Sequence, residues 1–248
     1  MDNKRIHINA DVGEAANIST SNDAVIMPFL QACNIACGFH AGNEKMAQEA
    51  IKIALKYNVK IGAHPSYPDK ENFGRIKMDL PYEQLVKIVK TQIHWLTKQA
   101  KIQNTILHHV KPHGALYNTA SVDTTTAEAI VEAVSSFRDL KLFAAYGSVL
   151  SKVGKDSKLE VVDEAFIDRT YHHDLSLVSR SNENAVINKP EQAIKQVVGI
   201  AKENTIKPLE GGLVAIKADT YCIHGDNPNA HAILSYLQMH LPQHELSL

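Results

Sequence analysis

Short β-branched runs alternate along the chain with longer stretches whose apolar residues recur at i, i+3 and i+4, the signature of repeated βα units around a parallel sheet. The runs place strands at 6–10, 33–38, 60–64, 108–111, 141–145, 159–163 and 213–223, the last interrupted near Ala218 and Asp219. Between them, Ala47, Ala50, Ile51, Ala54 and Leu55 share one helical face, and Leu85, Ile88, Val89, Ile93 and Leu96 a second. Ala193, Ile194, Val197, Val198 and Ala201 mark a third. Start signals agree: Asn43 stands before Glu44, Pro81 and Pro190 open two helices, and Asn227-Pro228 opens the last.

No Ser/Gly-rich or Pro-rich linker and no shift of composition divides the 248 residues, a length that suits one α/β barrel of ~250 residues. A single domain over 1–248 is therefore expected. Two stretches without period, 65–80 and 165–189, each follow a strand, and loops of that length in a compact domain usually serve a site.

Charge narrows the function classes. With 26 Lys+Arg against 27 Asp+Glu and no basic arm, nucleic acid and anionic membrane gain no support as partners. No apolar run approaches the ~20 residues of a membrane span, and the polar lead-in Met1-Asp2-Asn3-Lys4-Arg5 lacks the core of a secretory signal, so a cytoplasmic protein is expected. Cys33, Cys37 and Cys222, an odd set without C-x-x-C spacing, read as reduced core thiols. Residues four apart in one strand share a face but stand too far apart for a disulfide, so Cys33 and Cys37 stay unpaired.

Thirteen histidines outnumber the eight Tyr and the six Phe, and several fall at strand ends. The C-terminal ends carry Asp11 and Glu14, His40, His64, His113, then Glu164 and Asp168, and finally His224 and Asp226. In a parallel barrel these ends converge on one mouth, where barrel enzymes place their catalytic groups. One histidine there would be an ordinary loop residue; four at equivalent positions of four βα units point to a shared polar site. Gly and Pro flank them in Gly38-Phe39-His40-Ala41-Gly42, Gly62-Ala63-His64-Pro65 and His224-Gly225-Asp226-Asn227-Pro228, which permits close approach of backbone and ligand. Asn43, at a helix start, could offer backbone N–H groups to an anionic substrate.

Four segments carry a resemblance: Asn34-Ile-Ala-Cys-Gly-Phe-His-Ala-Gly42, Gly62-Ala-His-Pro-Ser-Tyr-Pro-Asp69, Val110-Lys-Pro-His-Gly-Ala-Leu-Tyr-Asn118 and Cys222-Ile-His-Gly-Asp-Asn-Pro228. In order and over essentially the whole chain they resemble the LamB/YcsF family, the A subunits of 5-oxoprolinase. The resemblance implies a (β/α)7 barrel, a distorted TIM-like fold of the glycoside hydrolase/deacetylase type. It also implies ATP-coupled opening of 5-oxoproline (pyroglutamate) to glutamate, with partner subunits B and C. Departures fall on the mouth loops: the family's turn after Asp11 and Glu14 differs here, and Asp174-Leu175 and Leu177-Val178-Ser179-Arg180 replace the usual Asp-Gly and Leu-Val-Pro-Arg.

Opening a lactam needs an activated carbonyl or water, a base, and an acid for the departing amine. No G-x-x-x-x-G-K-[ST] motif is present, and Gly154-Lys155-Asp156 lacks its spacing and hydroxyl, so ATP is expected through the partner subunits, the alternative being that this chain holds nucleotide by another route. In that frame Asp11 is the leading general base, with Glu14 beside it, and His40, His64 and His113 are acids, bases or oxyanion donors. Lys111 would supply a cation for carboxylate or phosphate, with Asp168, Arg169, Arg180, His224 and Asp226 joining Asn43 in binding substrate. Two alternatives stay open: a metal-dependent deacetylase or amidohydrolase with Asp11, His40 and His64 as ligands, and a non-catalytic substrate-binding subunit.

Overall fold

A computed structural model describes residues 3–248; Met1 and Asp2, the start of the polar lead-in, lie outside the described residues. Seven parallel strands close into a barrel in an α/β arrangement: β1 (Ile8–Val12), β2 (Ala32–Ala36), β3 (Lys60–His64), β4 (His109–Val110), β5 (Lys141–Ala145), β6 (Val161–Phe166) and β7 (Thr220–Ile223). Chain order is spatial order, and β7 pairs with β1, Tyr221 opposite Ile8, to complete the ring.

The helices that return the chain to the next strand include α1 (Glu44–Lys56), α2 (Tyr82–Ile102), α3 (Gly114–Ala120), α4 (Thr124–Ser135), α5 (Val149–Asp156), α6 (Pro190–Val198) and α7 (Ala230–His240). Asn43 caps α1 by accepting the Met46 N–H, and Pro190 occupies the first turn of α6, as their sequence positions suggest. The apolar faces of α1 and α2 pack on the barrel wall, burying Ala47, Ala50, Ile51 and Ala54, and Leu85, Val89, Ile93 and Leu96. At ~1.5–3 kcal/mol for each large aliphatic side chain, these faces are a main source of stability. Leu55, expected on the first face, is 44% exposed at its edge.

The second and fourth strands differ from the expected 33–38 and 108–111 by one or two residues at their ends; three further strands differ for a reason in the pairing. The first strand runs two residues further, so that Asp11 sits inside β1 opposite Asn34. The sixth spans Val161–Phe166 rather than 159–163, which puts Glu164 inside the sheet opposite Ala145 and Thr220. The stretch 213–223 is two elements: Val214–Ala215 pairs antiparallel with Thr205–Ile206 outside the barrel, and only Thr220–Ile223 joins the ring. The break falls at Asp219, whose N–H donates to the Asp163 carbonyl where the chain enters the barrel. Lys4–Arg5 also pairs with Leu246–Ser247, joining the two ends of the chain beside the barrel.

Between strands and helices the core is apolar; inside the ring it is polar. Asn9 Nδ2 donates to Glu164 Oε1 (2.8 Å) and Thr220 Oγ1 (2.9 Å), and Asn34 Nδ2 donates to Asn9 Oδ1 and Asp11 Oδ1 (both 2.8 Å). His109 Nε2 lies 2.7 Å from Asn34 Oδ1, and its ring stacks on Phe143 at 3.9 Å. The ring fits because Gly62 stands on the neighbouring strand: a Cβ there would lie 2.2 Å from His109 Nε2. Buried polar groups are costly unless partnered, and these partner one another from layer to layer up to the C-terminal mouth.

Candidate active site at the barrel mouth

A cavity of about 560 Å³ opens at the C-terminal ends of the strands. Asp11, Glu14, His64, Lys111, His113 and His224 line it, and Arg169, Arg180 and Asp226 approach from the loops. Asp168 sits beneath His224, and His40 stacks behind His113 with ring centres 3.8 Å apart. The four strand-end histidines thus share one end of the barrel. Asn43 does not join them, because its side chain is spent capping α1.

On one side of the floor, buried charged groups gather around Lys111. Lys111 Nζ lies 3.1 Å from both Asp11 Oδ1 and Glu164 Oε1, and 2.9 Å from Cys222 Sγ. Burial works against its charge, but Asp11 and the neighbouring groups raise its pKa well above the ordinary lysine value. Burial likewise opposes ionisation of Asp11, and His64 and Lys111 outweigh it, holding the carboxyl well below the usual range. Asp11 is therefore a fixed negative charge, with Oδ2 3.4 Å from His64 Nε2. Lys111, expected as a free cation for an anion, is already matched by two carboxylates.

On the second side, Glu14 Oε1 receives three imidazoles: His40 Nε2 at 2.9 Å, His113 Nδ1 at 3.2 Å and His64 Nε2 at 3.7 Å. Burial disfavours the Glu14 carboxylate, yet His113 and His40 hold its pKa below the carboxylate range. Burial also disfavours a charged His113, and Glu14 overrides it to raise the ring's pKa. His40, deeper, is driven by burial down to about 4. Gly74, at φ +66°, allows this packing, since a Cβ would sit 2.9 Å from His40 Cβ and 3.0 Å from His113 Cδ2. Phe73 beside it is a non-glycine residue at φ +57°; its carbonyl accepts from His113 Nε2 and its ring meets His40 and His113 edge-on. Such strain is held only where surroundings over-determine it. Among the described residues, Glu14, His40, His64 and His113 present ligand-type atoms all within 4.8 Å of one another. That cluster could hold a metal; it shares His40 and His64 with the alternative set Asp11, His40 and His64, whereas Asp11 meets Lys111 and Asn34.

Opposite stands a dyad. Asp168 Oδ1 lies 2.9 Å from His224 Nδ1, while Asp168 Oδ2 accepts from the His224 N–H and Asn227 Nδ2. Burial opposes the Asp168 charge, but His224 and Asn227 lower its pKa. The His224 ring stacks on Phe166 at 5.3 Å and borders the cavity. Arg169 is spent on the loop, donating from Nε to the Ala185 carbonyl and from Nη2 to the Val178 carbonyl. Arg180 Nη1 reaches Asp226 Oδ2 at 3.3 Å, and Arg75 Nη2 reaches the same oxygen at 2.5 Å. Arg75 and Tyr117, whose hydroxyl donates to Glu164 Oε2 at 2.8 Å, were not among the sequence candidates. The aperiodic loop 65–80 was the one signal toward Arg75; nothing local marked Tyr117.

The family model for LamB/YcsF matches residues 6–248. The chain belongs to the LamB/YcsF family. Among curated relatives of this LamB/YcsF chain, the 5-oxoprolinase A subunit of Shouchella clausii (strain KSM-K16) is 42% identical over 245 residues, 98% of this chain and 97% of the relative. That of Tolumonas auensis (strain DSM 9187 / NBRC 110442 / TA 4) is 42% identical over 231 residues, 92% and 91% of the two chains. Among solved structures, the lactam utilization protein from Thermus thermophilus superposes with a TM-score of 0.90 at 37% identity, over 98% of each chain.

Proposed function

We propose that this LamB/YcsF chain is the ring-opening subunit of an ATP-dependent 5-oxoprolinase, working with B and C partner subunits that bind ATP and phosphorylate the lactam oxygen. The similarity to 5-oxoprolinase A subunits over nearly the full length of both chains supports the substrate. The observation that carries the chemistry is the Asp168–His224 pair at the cavity wall. With Nδ1–H donated to the buried carboxylate, His224 keeps a bare Nε2 that can take a proton from an attacking water. The same ring can return that proton to the lactam nitrogen as the C–N bond breaks, which leaves an acyl phosphate that a second water hydrolyses to glutamate and phosphate.

Asp11, the base expected from the sequence, is held well below the usual carboxylate range by His64 and Lys111; its charge can orient the water and the neighbouring imidazole. His64 and His113, expected as acids, bases or oxyanion donors, hold their N–H groups on the Lys111 and Phe73 carbonyls and border the cavity without donating into it. Arg75 and Arg180 share the single carboxylate of Asp226, leaving one positive charge in excess at the rim. A guanidinium there can take the substrate's carboxylate bidentately.

Glutamate release from 5-oxoproline, measured with the chain alone and with B and C partner subunits plus ATP, tests the reading. Little release alone and ATP-dependent release on reconstitution are expected; a full rate from the isolated chain overturns it. A second reading, a metal-dependent amidohydrolase, is favoured by the Glu14, His40, His64 and His113 cluster. ATP-independent release of amine from a simple acyl amide would select it.

A further inference from the structure

The hydrogen bonds on the outer sides of two imidazoles fix what their inner sides offer. His64 Nδ1 lies 2.7 Å from the Lys111 carbonyl, and His113 Nε2 lies 2.9 Å from the Phe73 carbonyl. A carbonyl only accepts, so each of these nitrogens carries the N–H, and the neutral rings are left with bare His64 Nε2 and His113 Nδ1. Those two atoms stand 2.9 Å apart, with Glu14 Oε1 at 3.7 and 3.2 Å from them. Three lone pairs thus converge on one buried point. His40 approaches the same carboxylate oxygen through Nε2 at 2.9 Å, and its buried Nδ1 has no hydrogen-bond partner among the described residues. Only a cation relieves this convergence.

We propose that Glu14, His40, His64 and His113 form a binding site for one divalent transition-metal ion of the Zn²⁺ and Co²⁺ class. Ligands at ~2.0–2.1 Å from a tetrahedral ion lie about 3.4 Å from one another; four of the six distances here, 2.9, 2.9, 3.2 and 3.7 Å, bracket that spacing, and all lie within 4.8 Å. Three imidazoles and one carboxylate suit zinc or cobalt rather than magnesium or calcium, which take oxygen ligands. Backbone carbonyls behind His64 and His113 supply the outer-shell contacts that fix tautomer and orientation in metal-binding histidines. The residues His40, His64 and His113 are only 2%, 1% and 6% exposed, so little rotamer freedom remains to be lost on binding. Glu14, His64 and His113 also border the cavity, which puts the ion at its wall. This inference rests on the cluster alone and stands whichever substrate the cavity takes.

The test uses the full chain, stripped with a chelator and titrated with Zn²⁺ by calorimetry and with Co²⁺ by visible absorption. One equivalent per chain is expected, with a Co²⁺ band that Zn²⁺ abolishes. Glu14→Gln and His113→Gln, checked for native circular dichroism, should weaken binding by more than the ~10–100-fold that loss of an outer-shell partner costs. His172→Gln, at the exposed contact with Glu210, should leave it unchanged. Ring ¹⁵N shifts of His40, His64 and His113 on adding Zn²⁺ to the unsubstituted chain give the same answer without any variant. Binding well below one equivalent, unmoved ring resonances, or equal affinity in Glu14→Gln and His113→Gln would each overturn the proposal, leaving a proton as the cation between the rings.

Discussion

Asp168 grips His224 from both sides of the peptide: one carboxylate oxygen lies 2.9 Å from ring Nδ1 and the other accepts the backbone N–H of the same residue at 3.2 Å. The carboxylate therefore sets tautomer, ring orientation and loop position together. Asp168→Asn should preserve the fold yet cut kcat for glutamate release in the reconstituted system by ~10²–10⁴-fold, the usual worth of positioned proton transfer. KM should change far less. Steady-state kinetics with 5-oxoproline decide it, and an unaltered kcat would remove the dyad from the mechanism.

Lys111 is 2% exposed and matched by Asp11 and Glu164. Lys111→Met keeps the volume and strands two buried carboxylates, so stability should fall by ~3–5 kcal/mol. Urea unfolding at neutral pH measures this. A loss under about 1 kcal/mol would mean that the carboxylates protonate or hydrate freely.

At the opposite end of the barrel, His7 is half-buried, with Nδ1 2.9 Å from Thr220 Oγ1. Burial, then His108 and Arg5, lower its pKa to about 4. Between pH 6.5 and 4 the unfolded chain binds a proton there that the folded chain does not, so stability must fall as pH falls through that window. The slope from one such group is up to ~1.4 kcal/mol per pH unit. His109, lowered by burial and then by His108, adds in the same sense. Chemical denaturation at pH 6.5, 5.5 and 4.5 should show the decline, and His7→Gln should flatten part of it.

Cys33, Cys37 and Cys222 are buried and free. Burial pushes the Cys37 thiol up to about 12 and Cys33 higher still. Ellman's reagent should find no fast-reacting thiol in the native chain and three in denaturant, because the thiolate is the reacting form. A prompt native reaction would show that the barrel opens locally.

Sequence periodicity carried the architecture. In the strand Ile8–Val12, buried throughout, apolar Ile8, Ala10 and Val12 alternate with polar Asn9 and Asp11, and helical faces such as Ala47, Ala50, Ile51 and Ala54 recur at fixed spacing, so both are written in nearest-neighbour order. Because strand ends in a parallel barrel share one mouth, His64, His113 and His224 could be placed around one opening from chain position alone. Roles could not be read that way. The spacing of Asp11 and Lys111 says nothing of their ion pair, 100 residues apart in the chain, which lowers one pKa and raises the other. Asn43 and Arg169 have the right type and position for ligand binding, yet a helix cap and two loop carbonyls use their hydrogen bonds. Arg75 enters the site from the aperiodic loop 65–80, its one signal, and Tyr117 from a helix whose local pattern gives none. Local sequence determines which backbone forms and which face is apolar, because those depend on neighbours within a few residues. Which nitrogen is bare and which charge is already matched depend on contacts between distant βα units, and closure of the barrel decided them.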